Sequence, residues 1–88
     1  MSKQLLRAGT SVGANVEEAI GAQSKRDFLA KMSIAYKEAR ESMYWIRLLR
    51  VSNYLTEGEY EDLISDAEEL CKIIGASQNT TKRSLGRT

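Results

Sequence analysis

The strongest structural signal in this sequence is residues 25–54, KRDFLAKMSIAYKEARESMYWIRLLRVSNY. Small and apolar residues recur there at alternating intervals of four and three, the heptad pattern of a helix that is packed along its length. The seam consists of Phe28, Met32, Ala35, Ala39, Ser42, Ile46 and Leu49. Further apolar residues widen the stripe, as expected for a bundle helix with two neighbours. The pattern predicts one long helix over about residues 25–54.

A shorter helix is predicted before it, over about residues 3–20. Its apolar positions are Leu5, Gly9, Val12, Val16 and Ile20. Spacings of four, three, four and four place these residues on one helical face. Glycine inside a helix costs about 1 kcal/mol relative to alanine. We therefore interpret Gly9 and Gly13 as a face that a neighbouring helix approaches closely.

A third helix is predicted over about residues 57–74. Its apolar positions are Tyr60, Leu63, Ala67, Leu70 and Ile74. Thr56 and Glu59 form a Thr-x-x-Glu capping box at its start, and Ser24 is the expected N-cap of the long helix. Short turns between consecutive helices favour antiparallel neighbours. The predicted fold class is therefore all-α, an antiparallel up-and-down bundle with three helices in this chain.

The sequence after the third helix changes character at Gly75, which is expected to end that helix. Residues 76–88 are polar, rich in small side chains and without periodicity, so they are expected to form a flexible tail. The prediction is a single domain over residues 1–75 followed by this tail. Its basic residues are Lys82, Arg83 and Arg87.

Composition excludes several classes of function. The chain has 88 residues, a net charge of +1 and no histidine, and it contains one cysteine. The missing histidine and the single cysteine exclude an intrachain disulfide, a Cys/His zinc site and catalysis by imidazole. The net charge near zero gives no overall electrostatic attraction to nucleic acid or membranes. No cofactor motif, signal peptide or apolar stretch of membrane-spanning length is found. We expect a cytoplasmic, non-enzymatic protein without cofactor or metal.

A polar strip borders the apolar face of the first helix. Its members are Arg7, Ser11, Asn15 and Glu18. Their spacing of four, four and three places them on neighbouring turns, where they interact with each other. One interpretation is a hydrogen-bonding strip that is solvated or sets the register between helices, and the other is a contact for a ligand or RNA.

A second group of candidates combines arginine with aromatic side chains on the long helix. Its members are Arg40, Tyr44, Trp45, Arg47 and Arg50. Such side chains stack on unpaired bases and contact phosphates, which is typical of RNA-binding surfaces. The same residue types are favoured in protein interfaces, and interface or core packing is the alternative interpretation.

The sequence resembles the four helix bundle protein family, also called the 23S rRNA intervening-sequence proteins. The resemblance covers about residues 4–75. It rests on the motif Arg-Ala-x-x-Ser-Val-x-x-Asn-Val-x-Glu, which starts at Arg7, and on the Ser-x-x-Asp-Phe start of the long helix at Ser24. Members of this family have a complete helix before the first of these motifs, and this chain begins almost inside what would be the second helix.

The resemblance implies a closed homo-oligomer, typically a pentameric ring, and no enzymatic activity. It also implies a link to ribosomal RNA insertions and, in a related branch, to retroelement accessory proteins that bind nucleic acid. The predicted long helix has more residues than either of the other two predicted helices. Part of its apolar stripe would therefore stay exposed unless another helix covers it. Two sources of the covering helix are open, another copy of the chain and an N-terminal helix of the kind that family members have. Of the two, we expect oligomerisation to complete the bundle. The expected helix-packing or oligomer contacts are Gly9, Gly13, Phe28, Met32, Ala35, Ala39, Ile46 and Leu49.

Two functions follow from these patterns. The first is an oligomeric scaffold or interaction module of the intervening-sequence type. The second is an RNA- or DNA-binding accessory protein, in which an oligomer multiplies a weak basic patch.

Overall fold

The computed structural model describes residues 2–86, and these residues form three α-helices. The helices are α1 (Ser2–Ile20), α2 (Lys25–Val51) and α3 (Glu57–Gly86). Residues 2–86 contain no strand, so the predicted all-α class is confirmed. The connecting segments, residues 21–24 and 52–56, are short, and α2 runs antiparallel to both neighbours.

Local capping explains where α2 begins. The Ser24 side chain accepts a hydrogen bond from the backbone N–H of Asp27 at 3.0 Å, as predicted for an N-cap. Asp27 also places a carboxylate in the first turn, where it interacts favourably with the helix dipole.

The end of α2 is set by Asn53, which has a φ of 65°. Its N–H donates to the carbonyl of Arg50, and the N–H of Tyr54 donates to the carbonyl of Leu49. This pair of bonds is a Schellman motif, in which one left-handed residue turns the chain out of the helix. The predicted capping box then starts α3, since Thr56 N–H donates to Glu59 Oε1 and Glu59 N–H donates to Thr56 Oγ1.

The core follows α2 and consists of two clusters that each include side chains from all three helices. The first contains Val12, Ala19, Met32, Ala35, Ala39 and Ile74, with Phe28 packed against it. The second contains Ile46, Ile64 and Ala67, with Leu5 packed against it. The predicted seam of α2 is therefore its buried face.

The middle of that seam is made of small residues. Ala35 and Ala39 are fully buried, and the buried Ser42 donates its hydroxyl to the carbonyl of Glu38 at 3.1 Å. Small side chains let neighbouring helices approach closely, and the hydrogen bond within α2 satisfies the buried Ser42 hydroxyl.

The predicted end of the third helix at Ile74 is wrong, because α3 continues through Gly75 to Gly86. The continuation packs beside the first half of α2: Gln78 Nε2 donates to Ser33 Oγ at 3.0 Å, and the Lys25 ammonium donates to Ser84 Oγ. The tertiary contacts outweigh the local stop signal of a glycine and a polar sequence. Residues 76–86 are therefore helical, and Arg87 and Thr88 lie outside the described residues.

The expectation for the glycines of α1 is also corrected. Gly9 and Gly13 are exposed, and a Cβ built on either would meet no atom of this chain within 4 Å. The side of α1 that packs on α2 instead carries Ala8, Val12 and Ala19. Neither glycine is therefore needed for packing within residues 2–86, and a contact with a second copy stays a prediction.

The three helices form an open array. Both α1 and α3 pack on α2, but no Cα atom of α1 lies within 8 Å of a Cα atom of α3. The molecule is correspondingly elongated and flat, with extents of 50 × 20 × 13 Å. The gap between α1 and α3 leaves one side of the array uncovered.

Two isoleucines test this description of the core. Ile74 is 1% exposed, whereas Ile34 is 44% exposed. Ile74→Ala should lower the free energy of unfolding by about 2 to 5 kcal/mol, because it leaves a cavity among three helices. Ile34→Ala is the matched control and should cost less than about 1 kcal/mol. Equal losses in urea unfolding would contradict the assignment of the core face.

The turn after α2 gives a second stability test. Asn53→Ala should lower the free energy of unfolding by about 1 kcal/mol, because alanine is disfavoured in the left-handed region. Asn53→Gly should unfold at the same temperature as the parent protein or higher, since glycine adopts this conformation readily. Thermal melting of the two variants measures the difference, and a less stable glycine variant would argue against the Schellman motif.

Candidate functional site

The polar strip of α1 makes contacts with α2 at two places. Arg7 pairs with Glu38 Oε2 at 3.3 Å and with Glu41 Oε1 at 2.5 Å. Glu18 pairs with Lys31 at 2.7 Å. These ion pairs run between antiparallel helices, so they hold α1 in one register along α2.

The two remaining members of the strip interact within α1. Asn15 Nδ2 donates to the carbonyl of Ser11 at 2.8 Å and to its hydroxyl at 3.3 Å. Both side chains are half-buried. All four predicted residues of the strip thus have protein partners.

Glu41 is the electrostatic centre of this contact. Its carboxylate accepts hydrogen bonds from Arg7 and from Trp45 Nε1, the latter at 3.2 Å, and these bonds lower the pKa of Glu41. The same bond to Glu41 raises the pKa of Arg7, and a bond to Glu18 raises the pKa of Lys31. The charged forms of these groups are the ones that the fold stabilises.

The structure divides the predicted aromatic and arginine group. Trp45 is half-buried and bonded to Glu41, so it lies on the side of α2 that faces α1. Tyr44 is 56% exposed and meets the Trp45 ring edge-on, with centroids 4.9 Å apart. Arg40 and Arg47 are exposed, whereas Arg50 is half-buried. The five residues therefore do not form one surface.

A different set of α2 residues does share a surface, which we call the outer strip. It consists of Arg26, Lys37, Arg40, Tyr44, Arg47 and Val51. All six are exposed, and spacings of eleven, three, four, three and four keep them on one side of the helix. Within residues 2–86 the four cations of the strip form no ion pair, because the ion pairs there use Arg7 and Lys31. Arg26, Lys37 and Val51 were not in the predicted group, and their helical spacing alone places them on this side of α2.

The sequence reasoning missed a second surface, on the uncovered side of α3. Its apolar row consists of Leu63, Leu70 and Ile73, which are 38%, 37% and 56% exposed. Leu63 and Leu70 lie beyond the core row of Ala67 and Ile74, on the side away from α2. We call this surface the open face of α3.

An acidic row runs beside these apolar residues. It consists of Glu59, Asp62, Asp66 and Glu69, all exposed. Their spacing of three, four and three is the signal that would have identified the row. Seven of the chain's twelve acidic residues lie in residues 57–69, and that segment contains no lysine or arginine. In the described part of the chain none of the seven forms an ion pair.

Among residues 2–86, no three or more His, Cys, Asp or Glu side chains come together in a way that could hold a metal ion. None of the three described helices has the length and apolar character needed to span a membrane. Cys71 is half-buried with its Sγ 3.7 Å from Met43 Sδ, and burial raises the pKa of its thiol. A thiol in this setting is a poor nucleophile at neutral pH.

The fold and its surfaces define a class of protein: a small antiparallel helical array with uncovered, charged helix faces. The chain belongs to the 23S rRNA-intervening sequence protein family, whose sequence profile matches residues 1–76. The predicted family is thereby confirmed.

A similar solved structure also supports the helical bundle fold. It is the crystal structure of a protein with unknown function from the S23 ribosomal protein family of Bacteroides thetaiotaomicron VPI-5482. That protein is 47% identical, and the two structures superpose with a TM-score of 0.87 over 90% of this chain and 70% of that one. Comparison with curated proteins gives no significant match.

The pKa of Glu41 leads to a pH test. Because the folded protein lowers the pKa of Glu41, the ionised Glu41 carboxylate stabilises the fold at pH values above its ordinary pKa of 4.5. This stabilisation is lost as the pH falls through the lower pKa that Glu41 has in the folded protein. Glu41→Gln should therefore lower the melting temperature at neutral pH and flatten its fall on acidification. Glu17→Gln, at an exposed carboxylate without an ion pair, should keep the parent profile. Parallel profiles for all three proteins would contradict the role of Glu41.

Proposed function

We propose that this protein is a non-catalytic assembly module, in which copies of the chain associate through their uncovered helix faces into a closed homo-oligomer. The ring expected from the family resemblance is a pentamer. Such an oligomer acts as a scaffold or interaction platform of the intervening-sequence type.

The observation that carries the proposal is the uncovered side of the array. Leu63, Leu70 and Ile73 project from α3 beside a gap that no part of residues 2–86 fills. Across the gap α1 exposes Ile20, which lines a cleft with Thr81 and Ser84 of α3. Full burial of an exposed large aliphatic side chain contributes about 1.5 to 3 kcal/mol, so covering these partly exposed side chains contributes a fraction of that for each.

Light scattering after size exclusion tests the proposal. The expected molar mass is a defined multiple of 9.9 kDa, with five copies as the specific expectation. Leu70→Asp combined with Ile73→Asp should shift the mass towards that of one chain, because charges in the apolar row oppose its burial. Ile34→Asp is the matched control, since Ile34 is 44% exposed on α2. A parent protein that stays monomeric at all concentrations would exclude assembly.

The second candidate function is binding of RNA or DNA, and the outer strip of α2 is the observation that favours it. Arg40 and Arg47 flank the exposed Tyr44 and have no carboxylate partner within residues 2–86. Guanidinium groups beside an exposed ring are suited to contacts with phosphates and unpaired bases. An oligomer would repeat the strip and increase the avidity.

Titration with a single-stranded RNA at several salt concentrations tests this alternative. Arg40→Ala with Arg47→Ala should weaken binding and reduce the slope of log affinity against log salt by about 0.7 per lost phosphate contact. Lys82→Ala with Arg83→Ala removes the same charge elsewhere and is the control. Equal slopes for the two variants would count against the outer strip.

A further inference from the structure

Resting on the second candidate function, the binding of nucleic acid, we infer that the outer strip of α2 extends onto α3 at Lys72 and that its ligand is a single strand. Lys37, Arg40 and Lys72 contact phosphates of the strand, and the ring of Tyr44 stacks on one unpaired base. This surface lies on the side of the array away from the gap between α1 and α3. It therefore does not depend on what covers that gap.

Helical spacing places Lys72 and the outer strip on the same side of the array. Lys72 follows Leu70 of the open face by two positions, and such positions lie about 200° apart on a helix with 3.6 residues per turn. Lys72 therefore points away from the open face. Arg40 and Tyr44 are each two positions from the buried Ser42, so they point away from the core in the same way.

Two contacts between α2 and α3 fix the position of Lys72 along α2. Cys71 Sγ lies 3.7 Å from Met43 Sδ, and a Cβ built on Gly75 would lie 3.8 Å from Tyr36 Cε2. Lys72 lies between Cys71 and Gly75 in the sequence. It is therefore level with the stretch of α2 between these two contacts.

That stretch of α2 supplies two further cations at the same level. Lys37 and Arg40 are exposed, as is Lys72, and none of the three forms an ion pair within residues 2–86. The axes of packed helices lie about 8 to 10 Å apart. Long side chains from both helices can therefore reach a phosphate that lies between them.

The acidic residues nearby do not cancel this charge. Glu38 and Glu41 lie on the side of α2 that faces α1, where both pair with Arg7. Glu68 lies one turn before Lys72 on α3, and residues 70–88 contain no acidic residue. The three cations outnumber the one carboxylate beside them, so this part of the surface attracts an anionic ligand.

A series of contacts positions the Tyr44 ring next to these cations. Glu41 accepts hydrogen bonds from Arg7 of α1 and from Trp45 Nε1. The Trp45 ring in turn meets the ring of Tyr44, which is 56% exposed and one turn from Arg40. A side chain that is already held in place loses little conformational freedom when a base stacks on it.

The exposed ring distinguishes a single strand from a duplex. The bases of a duplex stack on each other, whereas an unpaired base offers its face to an aromatic side chain. Cations alone would bind both forms, since both carry phosphates. Cations beside an exposed ring therefore favour the single strand.

Titration of the full chain with a single-stranded RNA, and with the same RNA annealed to its complement, tests the site. Lys72→Ala should weaken binding of the single strand and reduce the slope of log affinity against log salt by about 0.7. Lys72→Arg keeps the charge and should bind like the parent protein. Lys82→Ala is the matched control, because Lys82 is an exposed lysine about 15 Å further along the same helix.

Substitution of Tyr44 tests the preference for a single strand. Tyr44→Leu should weaken binding of the single strand at least about fivefold and leave the affinity for the duplex unchanged. Tyr44→Phe retains the ring and should bind like the parent protein. Tyr54→Leu is the control, since Tyr54 is 73% exposed in the turn between α2 and α3.

The possible results separate this inference from the function on which it rests. A parent protein that binds neither form of RNA would overturn both. Equal effects of Lys72→Ala and Lys82→Ala, or of Tyr44→Leu and Tyr54→Leu, would overturn only the site inferred here, and so would equal or tighter binding of the duplex. A change of molar mass in Lys72→Ala or Tyr44→Leu would assign these residues to contacts between copies and also overturn it.

Discussion

The need to cover α2 on two sides is the constraint on which the rest of the structure depends. Its seam is buried from Met32 to Leu49, and small residues at Ala35, Ala39 and Ser42 bring the neighbouring helices close. One helix cannot bury a stripe this wide, so α1 and α3 must pack on different sides of it. Because α1 and α3 pack on different sides of α2, they are separated from each other. The gap between them follows from this arrangement.

Local patterns were sufficient for the helices and their caps but not for the end of α3. The seam of α2 and the Thr56–Glu59 box are encoded by nearby residues, and the structure shows both. Gly75 is a local stop signal as well, yet Gln78 finds a hydrogen-bond partner in Ser33, forty-five residues away. The continuation of α3 depends on such tertiary contacts, which a pattern along one segment does not contain.

The candidate site was predicted in part for the same reason. The strip from Arg7 to Glu18 was identified by its spacing, whereas its partners on α2 became evident only when the helices were placed side by side. Trp45 was grouped with Tyr44 because they are adjacent in sequence, but adjacent residues lie about 100° apart on a helix. The acidic row of α3 was not predicted, although its spacing of three, four and three is present in the sequence.

The charges of this chain are unevenly distributed although the net charge is only +1. Seven acidic residues in residues 57–69 of α3 offset the cations of α2. The molecule as a whole therefore carries almost no field, although α2 and α3 expose charges of opposite sign. Screening limits interactions between exposed charges to about 8 to 10 Å at physiological salt, close to the distance between packed helices. These exposed charges therefore act mainly on groups that are already in contact with the helix that carries them, and they attract little over longer distances.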